Sequence, residues 1–93
     1  MADVTVTHAP SASRYEVHFN GELAGFIDYV QSGDVLDLTH TEVFPQFGGQ
    51  GIGGQLVQGA LDQIREAGQT IVPTCPFVAT FVKRHPDYAD LLA

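Results

Sequence analysis

Along the first third of the chain, apolar residues fall on every second position. Val4 and Val6 alternate with Thr5 and Thr7, which predicts an edge strand ending near His8. Ala9-Pro10-Ser11 reads as a turn. Tyr15, Val17 and Phe19 alternate with Glu16 and His18, the pattern of a half-buried strand. Asn20-Gly21 follows at once and predicts a tight hairpin, because both central residues of that turn need positive φ. A strand from about Glu22 to Val30 comes next, then a turn at Ser32-Gly33-Asp34. A further strand runs from Val35 to Val43, and Pro45 ends it.

Past a glycine-rich loop, Gly48 to Gly54, the period changes from two to that of a helix. Ile52, Leu56, Val57, Ala60, Leu61 and Ile64 form one apolar stripe, with Gln55, Asp62, Arg65 and Glu66 opposite. Gly68 closes this helix, where a C-terminal cap favours positive φ. Ile71 and Val72 make a short buried strand. Pro76 opens a second helix that buries Phe77, Val78, Phe81 and Val82, since proline at the first helical position forfeits no hydrogen bond. His85-Pro86 ends it, and Asp87 to Leu92 adds one helical turn that docks Tyr88 and Leu91 on the core. A crossover helix between neighbouring strands implies a parallel pair. The expected fold class is α/β of the α+β kind. One domain, residues 1–93, carries a mixed, mostly antiparallel sheet with a C-terminal strand–helix–strand–helix unit.

Composition and charge narrow the function. Hydrophobic residues make up 44% and charged residues 16%, a globular mix. Eleven acids against four bases give a formal net charge of −7, which opposes nucleic acid as a partner. An anionic small ligand is still compatible, because local amide dipoles override a global field at short range. A single cysteine, Cys75, cannot form an internal disulfide. The N-terminus Met-Ala-Asp-Val lacks the basic and apolar runs of a signal peptide, and no apolar stretch approaches a membrane span. A cytoplasmic protein is the expectation. His8 and His18 have no ligand-like spacing with His40, His85 or Cys75, so no metal is expected.

Five of the seven residues from Gly48 to Gly54 are glycine. Without Cβ atoms, amide N–H groups can converge on an anion, and the helix that follows adds its own unpaired N–H groups. A phosphate or pyrophosphate suits such a loop; a plain connector needs fewer glycines. A P-loop requires Gly-Lys-Ser/Thr, but Gln55 follows Gly54. The dinucleotide fingerprint is met literally by Gly49, Gly51 and Gly54, yet Pro73-Thr74 stands where its acid belongs. The acyl-CoA loop, Gln/Arg-x-x-Gly-x-Gly/Ala after a strand ending Val-x-Pro, is met by Val43-Phe44-Pro45 and then Gly48-Gly49-Gln50-Gly51-Ile52-Gly53. Gly51 and Gly53 take the small positions; Gly48 replaces Gln/Arg.

Further motifs follow in order: His40-Thr41-Glu42-Val43, Pro73-Thr74-Cys75-Pro76-Phe77-Val78, and Lys83-Arg84-His85-Pro86-Asp87-Tyr88. With them the chain resembles the GCN5-related N-acetyltransferases, in their small YjdJ-type branch, from about Tyr15 to Leu92. The resemblance implies that the strand through Thr41 to Val43 and the strand at Ile71–Val72 start parallel and then splay. It implies that a pantetheine arm enters that gap, bonding to backbone near Thr41 and Val43. It places a pyrophosphate on Gly48, Gly49, Gln50, Gly51, Ile52, Gly53 and Gly54, and points the thioester towards Cys75 and His40. Acetyl-CoA is the cofactor this implies, and an amine, on a small molecule or a protein, the acceptor.

Acetyl transfer requires deprotonation of the amine, stabilisation of the carbonyl oxygen and departure of the thiolate. His40 is a candidate base, its ordinary pKa lying near neutrality, or a structural histidine. Glu42, two residues along the same strand face, is a candidate base or a solvated carboxylate. Asp37 falls on the opposite face by simple alternation and reads as surface. Cys75 precedes a helix, which lowers a thiol pKa. It is a candidate acyl acceptor, a partner for a mixed disulfide with coenzyme A, or a buried apolar side chain. Many members of the superfamily carry a tyrosine that protonates the leaving thiolate; Phe81 cannot. Phe77 and Phe81, one turn apart, are candidate cofactor contacts or core. Lys83, Arg84 and His85 form the one dense positive patch, suited to a 3′-phosphate or to a helix C-terminus. Lys83 and His85 are taken as cofactor-binding. A non-catalytic acyl-CoA-binding or sensing module is the rival reading. An exposed edge at Val4–Thr7 allows a monomer or a weak homodimer.

Overall fold

The computed structural model describes residues 3–93. Five strands form one sheet in the order β1-β2-β3-β4-β5: β1 Val4–Ala9, β2 Arg14–Phe19, β3 Glu22–Ser32, β4 Val35–Val43 and β5 Thr70–Val72. The first four are antiparallel neighbours, and β5 lies parallel to β4. Helix α1 spans Ile52–Glu66 and α2 spans Pro76–Arg84. Short 3₁₀ turns occur at Pro10–Ala12, Pro45–Phe47 and Pro86–Leu91.

The local signals act where they were expected. Asn20 and Gly21 have φ of 50° and 83°, so both adopt the left-handed geometry of the hairpin turn. Gly68 has φ of 72° and its N–H caps the Arg65 carbonyl. The β3–β4 hairpin is tighter than Ser32-Gly33-Asp34 suggested. Ser32 pairs with Val35, so only Gly33 and Asp34 form the loop and β3 extends to Ser32. Helix α1 starts at Ile52, so Gly53 and Gly54 belong to its first turn, not to the loop before it.

Both helices cover the same sheet face. Leu56, Val57, Ala60, Leu61 and Ile64 of α1 and Val78 and Val82 of α2 pack on Tyr15, Val17, Ile27, Tyr29, Leu36, Leu38 and Ile71. Each large side chain buried there contributes about 1.5–3 kcal/mol of apolar transfer. Among the described residues, the other face carries no helix. Phe26, Asp28 and Val30 of β3 and Asp37, His40 and Glu42 of β4 lie on that open side. Val30 is 63% exposed and Val72 41%, as on a sheet face that meets solvent. Tyr88 and Leu91 are buried, and the Tyr88 hydroxyl donates to Asp62 at 2.7 Å.

One irregularity in β4 matters for the site. Asp28 faces His40 and Tyr29 faces Leu38, so Thr39 is an extra residue on β4. Such a bulge reverses the alternation beyond it. Leu36 and Leu38 point into the core, but so do Thr41 and Val43, through their partners Ile27 and Gly25. Asp37 therefore shares the open face with His40 and Glu42, contrary to simple alternation.

Candidate acyl-coenzyme A site

The parallel pairing of β4 and β5 is short: Val35 with Thr70, Leu36 with Ile71, Asp37 with Val72. One more backbone bond, from Cys75 N–H to the Leu38 carbonyl at 2.8 Å, ties the strands. Beyond it the chain turns into α2, while β4 continues to Val43 paired only with β3 among the described residues. The two strands thus form a fork, where the inner edge of β4 beyond Leu38 pairs with no strand among the described residues and the Thr41 N–H faces the Cys75 sulfur.

A cleft of about 340 Å³ opens there, lined by Thr41, Val43, Phe47, Gly48, Gly49, Gly51, Ile52, Gly53, Gly54 and Phe77. Gly49 and Gly51 have φ of 77° and 72°, so the loop folds as only glycine does cheaply, and Gly51 is the N-cap of α1. Carbon added at Gly53 would stand 2.8 Å from the Phe77 ring, which rests on the first turn of α1. A second cleft of about 480 Å³ lies beyond Phe77, between Gly54, Pro76, Thr80, Phe81, Arg84 and His85. Gly54 and Phe77 line both, so they read as one groove along the start of α1 and the flank of α2.

Cys75 sits at the fork as the N-cap of α2, only 6% exposed. Its sulfur lies 3.4 Å from the Thr41 hydroxyl. Burial pushes the thiol pKa up. The Thr41 hydroxyl and the N–H groups of Val78, Phe77 and Thr41 outweigh that and hold it below the ordinary value. Those amides face the sulfur without making a regular capping bond.

His40 and Glu42 occupy the other face of β4. Their side chains pair at 3.3 Å and are about half exposed. The His40 ring lies near Phe26, which packs on Phe44 and under the Arg14 guanidinium. Arg14 itself pairs with Asp28 at 3.1 Å. Asp37 accepts a hydrogen bond from Thr74 at the apex of the fork. The structure therefore does not gather Cys75, His40 and Glu42 into one cluster: the thiol lies on the groove side and the His40–Glu42 pair on the open side.

Of the expected positive patch, Arg84 and His85 reach the groove. Lys83 does not. It lines a separate apolar hollow with Pro73, Val82, Pro86 and Leu92. Helical residues one apart point about 100° away from each other, so only one of Lys83 and Arg84 can face the groove. Phe81 is half-buried in the groove wall, its ring centroid 4.2 Å from that of His85 and tilted by 30°. Gln50 does not line the cleft, while Phe47, Pro76 and Thr80, passed over in the sequence, do. Phe47 carried a signal, an aromatic just before the glycines. Among the described residues, no group of three His, Cys, Asp or Glu side chains could hold a metal. No described helix is long and apolar enough to cross a membrane.

A helix-covered mixed sheet, forked beside a glycine-capped helix, defines an acyltransferase-like fold, and solved structures agree. A GCN5-like protein from Staphylococcus aureus superposes with a TM-score of 0.72 at 20% identity, covering 100% of this chain and 91% of its own. The ribosomal-protein-S18-alanine N-acetyltransferase of Escherichia coli does so at 0.64 and 16% identity, over 92% of this chain and 76% of its own. Protein NATD1 from Bos taurus is 31% identical over 86 residues, 89% of this chain and 75% of the relative. The Xenopus tropicalis form is 31% identical over 88 residues, 91% of this chain and 80% of the relative. The profile described as GCN5-related N-acetyl-transferase matches residues 14–91, and the chain belongs to that family.

Proposed function

We propose that this protein transfers an acetyl group from acetyl-CoA to an amine. The observation that carries the reading is the groove from the strand-unpaired inner edge of β4, over the α1 N-terminus, to Arg84 and His85. The fit is physical. Gly49 and Gly51 turn the loop with positive φ, and no Cβ fills the space at Gly53 against Phe77. The backbone of Thr41 and Val43 would hold the pantetheine arm, the loop and first helical turn the pyrophosphate, and Arg84 with His85 the 3′-phosphate. When bound, acetyl-CoA supplies an acyl group activated as a thioester.

The chain's own groups divide between the two sides of the fork. On the open face, the Glu42 carboxylate takes a proton from the amine and His40, paired with it, orients that carboxylate. On the groove side, Thr41 and the amides at the start of α2 stabilise a thiolate at Cys75. The acidic balance of the chain favours a cationic acceptor by steering. A second reading, binding without transfer, is favoured by Phe81, which places a ring without a hydroxyl in the groove wall. Calorimetry with acetyl-CoA, followed by a free-thiol assay over a panel of amines, decides. Saturable binding with amine-dependent thiol release supports transfer. Binding without release supports the second reading, and no binding at millimolar acetyl-CoA refutes both.

A further inference from the structure

Sequence alternation made Asp37 a bystander, yet the pairing of β4 with β5 places it at the apex of the fork. The last parallel pair joins Asp37 to Val72. Two residues later the Thr74 hydroxyl donates to Asp37 Oδ1. The next residue is Cys75, whose N–H binds the Leu38 carbonyl and whose sulfur touches Thr41. Pro73 removes one backbone donor between these anchors, and the Thr74 N–H turns back to the Val72 carbonyl at 3.0 Å. The Asp37–Thr74 bond is thus the side-chain clamp on the short link that carries Cys75 into the groove. It lies on the open face and Cys75 on the other, so the two act through the backbone of one residue.

We propose that Asp37 and Thr74 are a positioning pair: they fix where β4 and β5 part and thereby hold the Cys75 sulfur against Thr41 and the first turn of α2. Neither touches the groove, so neither is a catalytic residue. The inference rests on geometry within the chain and stands whether or not the groove binds acetyl-CoA.

The sign of the effect separates positioning from charge. The Cys75 thiol is set by burial against the Thr41 hydroxyl and amide and the Val78 and Phe77 amides. Removing a nearby carboxylate as a charge would favour the thiolate and move its titration down. Releasing the clamp would draw the sulfur from its donors and move the titration up. Thr74→Val removes the donor and leaves the charge untouched. Thr74→Ser keeps the donor, and Asp37→Asn keeps an acceptor while removing the charge.

The test is the rate of Cys75 alkylation by iodoacetamide as a function of pH, in the full chain, with thermal melting run beside it. The expected result is a midpoint for Thr74→Val raised by about one unit, the scale of one hydrogen bond to a charged group. Thr74→Ser restores the parent profile, and Asp37→Asn stays within a few tenths of a unit of it. A folded Thr74→Val chain with an unmoved or lowered midpoint overturns the proposal. So does a raised midpoint in Thr74→Ser equal to that of Thr74→Val. If Thr74→Val does not fold, Asp37→Ala is read in its place, and an unmoved or lowered midpoint again refutes the pair. A parent chain that fails to bind acetyl-CoA overturns the proposed function while leaving this measurement intact.

Discussion

Gly25 lies directly opposite Val43, where β4 runs into the site. A Cβ built there would stand 2.3 Å from the Glu42 carbonyl oxygen, 3.1 Å from Val43 Cα and 3.2 Å from Glu42 C. All three are backbone atoms, so no side chain can swing aside. An ordinary carbon–oxygen contact is about 3.3 Å, so Gly25→Ala must part β3 from β4 by roughly 1 Å. Gly25 is buried and neighbours the Phe44 N–H to Ala24 carbonyl bond of 2.8 Å. Weakening one or two such bonds costs about 1 kcal/mol each, and overpacking adds about 1–3 kcal/mol. Alanine recovers about 0.5–1 kcal/mol of backbone entropy, which does not close the gap. The net loss is about 2–3 kcal/mol.

For a domain of this size, each kcal/mol moves the midpoint of thermal unfolding by about 4–8 °C, so Gly25→Ala should melt roughly 10–20 °C lower. Urea unfolding followed by far-ultraviolet circular dichroism measures the same loss as a lower midpoint at unchanged slope. Gly54→Ala is the control. It lies in the first turn of α1, and nothing stands within 4 Å of an added Cβ there. It should hold or gain stability. If Gly25→Ala melts within about 2 °C of the parent, the strands are not in the contact described, and the packing argument for this end of β4 fails.

Four other outcomes are expected. Arg84→Ala should weaken coenzyme A binding by about 3–10-fold, the scale of one partly exposed charge contact, and should not weaken dephospho-coenzyme A. Lys83→Ala should change neither, because Lys83 faces the hollow beside Pro86; calorimetry with both ligands distinguishes the two residues. Gly51→Ala should lose about 1–2 kcal/mol, since its φ of 72° is strained for any residue with a Cβ, and should lower acetyl-CoA affinity with it; urea titration and calorimetry read the two effects. Burial raises the phenol pKa of Tyr15 and Tyr88 to about 12 from an ordinary 10.0. A raised folded value means stability is intact below pH 10 and falls as pH climbs from 10 towards 12, so tyrosinate absorbance should rise together with unfolding in that window. Gradual ionisation of Tyr15 and Tyr88 with the fold intact would contradict their burial.

What was legible in the sequence is what local chemistry decides. Asn20-Gly21, Pro45, Gly68 and Pro76 act through their own φ or their missing donor, so their effects can be read without knowing neighbours. The alternation of Tyr15, Val17 and Phe19 and the stripe from Ile52 to Ile64 work in the same way, since one face is buried whatever buries it. The bulge at Thr39 was hidden because it arises from pairing: β4 carries one residue more than β3 between Tyr29 and Asp28, and no residue in Asp37-Leu38-Thr39-His40 announces it. Gly25 was hidden because its reason is the Glu42 carbonyl, seventeen residues away. The choice between Lys83 and Arg84 was hidden because it depends on how α2 is rotated on the sheet, which its apolar stripe sets only coarsely. The site was therefore readable as a set of types and segments, but not as two sides.

That division is the main consequence of the bulge. Without the extra residue, strict alternation from Leu36 and Leu38 would turn His40 and Glu42 inward and Thr41 and Val43 outward. The groove edge would then carry a charged pair beside the Cys75 sulfur, and the open face would carry a threonine and a valine. With it, the neutral side chains of Thr41 and Val43 meet the groove, and the Glu42 carboxylate joins that of Asp37, which precedes the bulge, on the far side. A polyanionic ligand lying along the groove then avoids both carboxylates, which at close range would oppose it. A cationic amine arriving from the open face meets them instead. One inserted residue in one strand thus puts neutral side chains on the groove side of the fork and the His40–Glu42 pair on the open side, the separation on which the proposed transfer to a cationic amine rests.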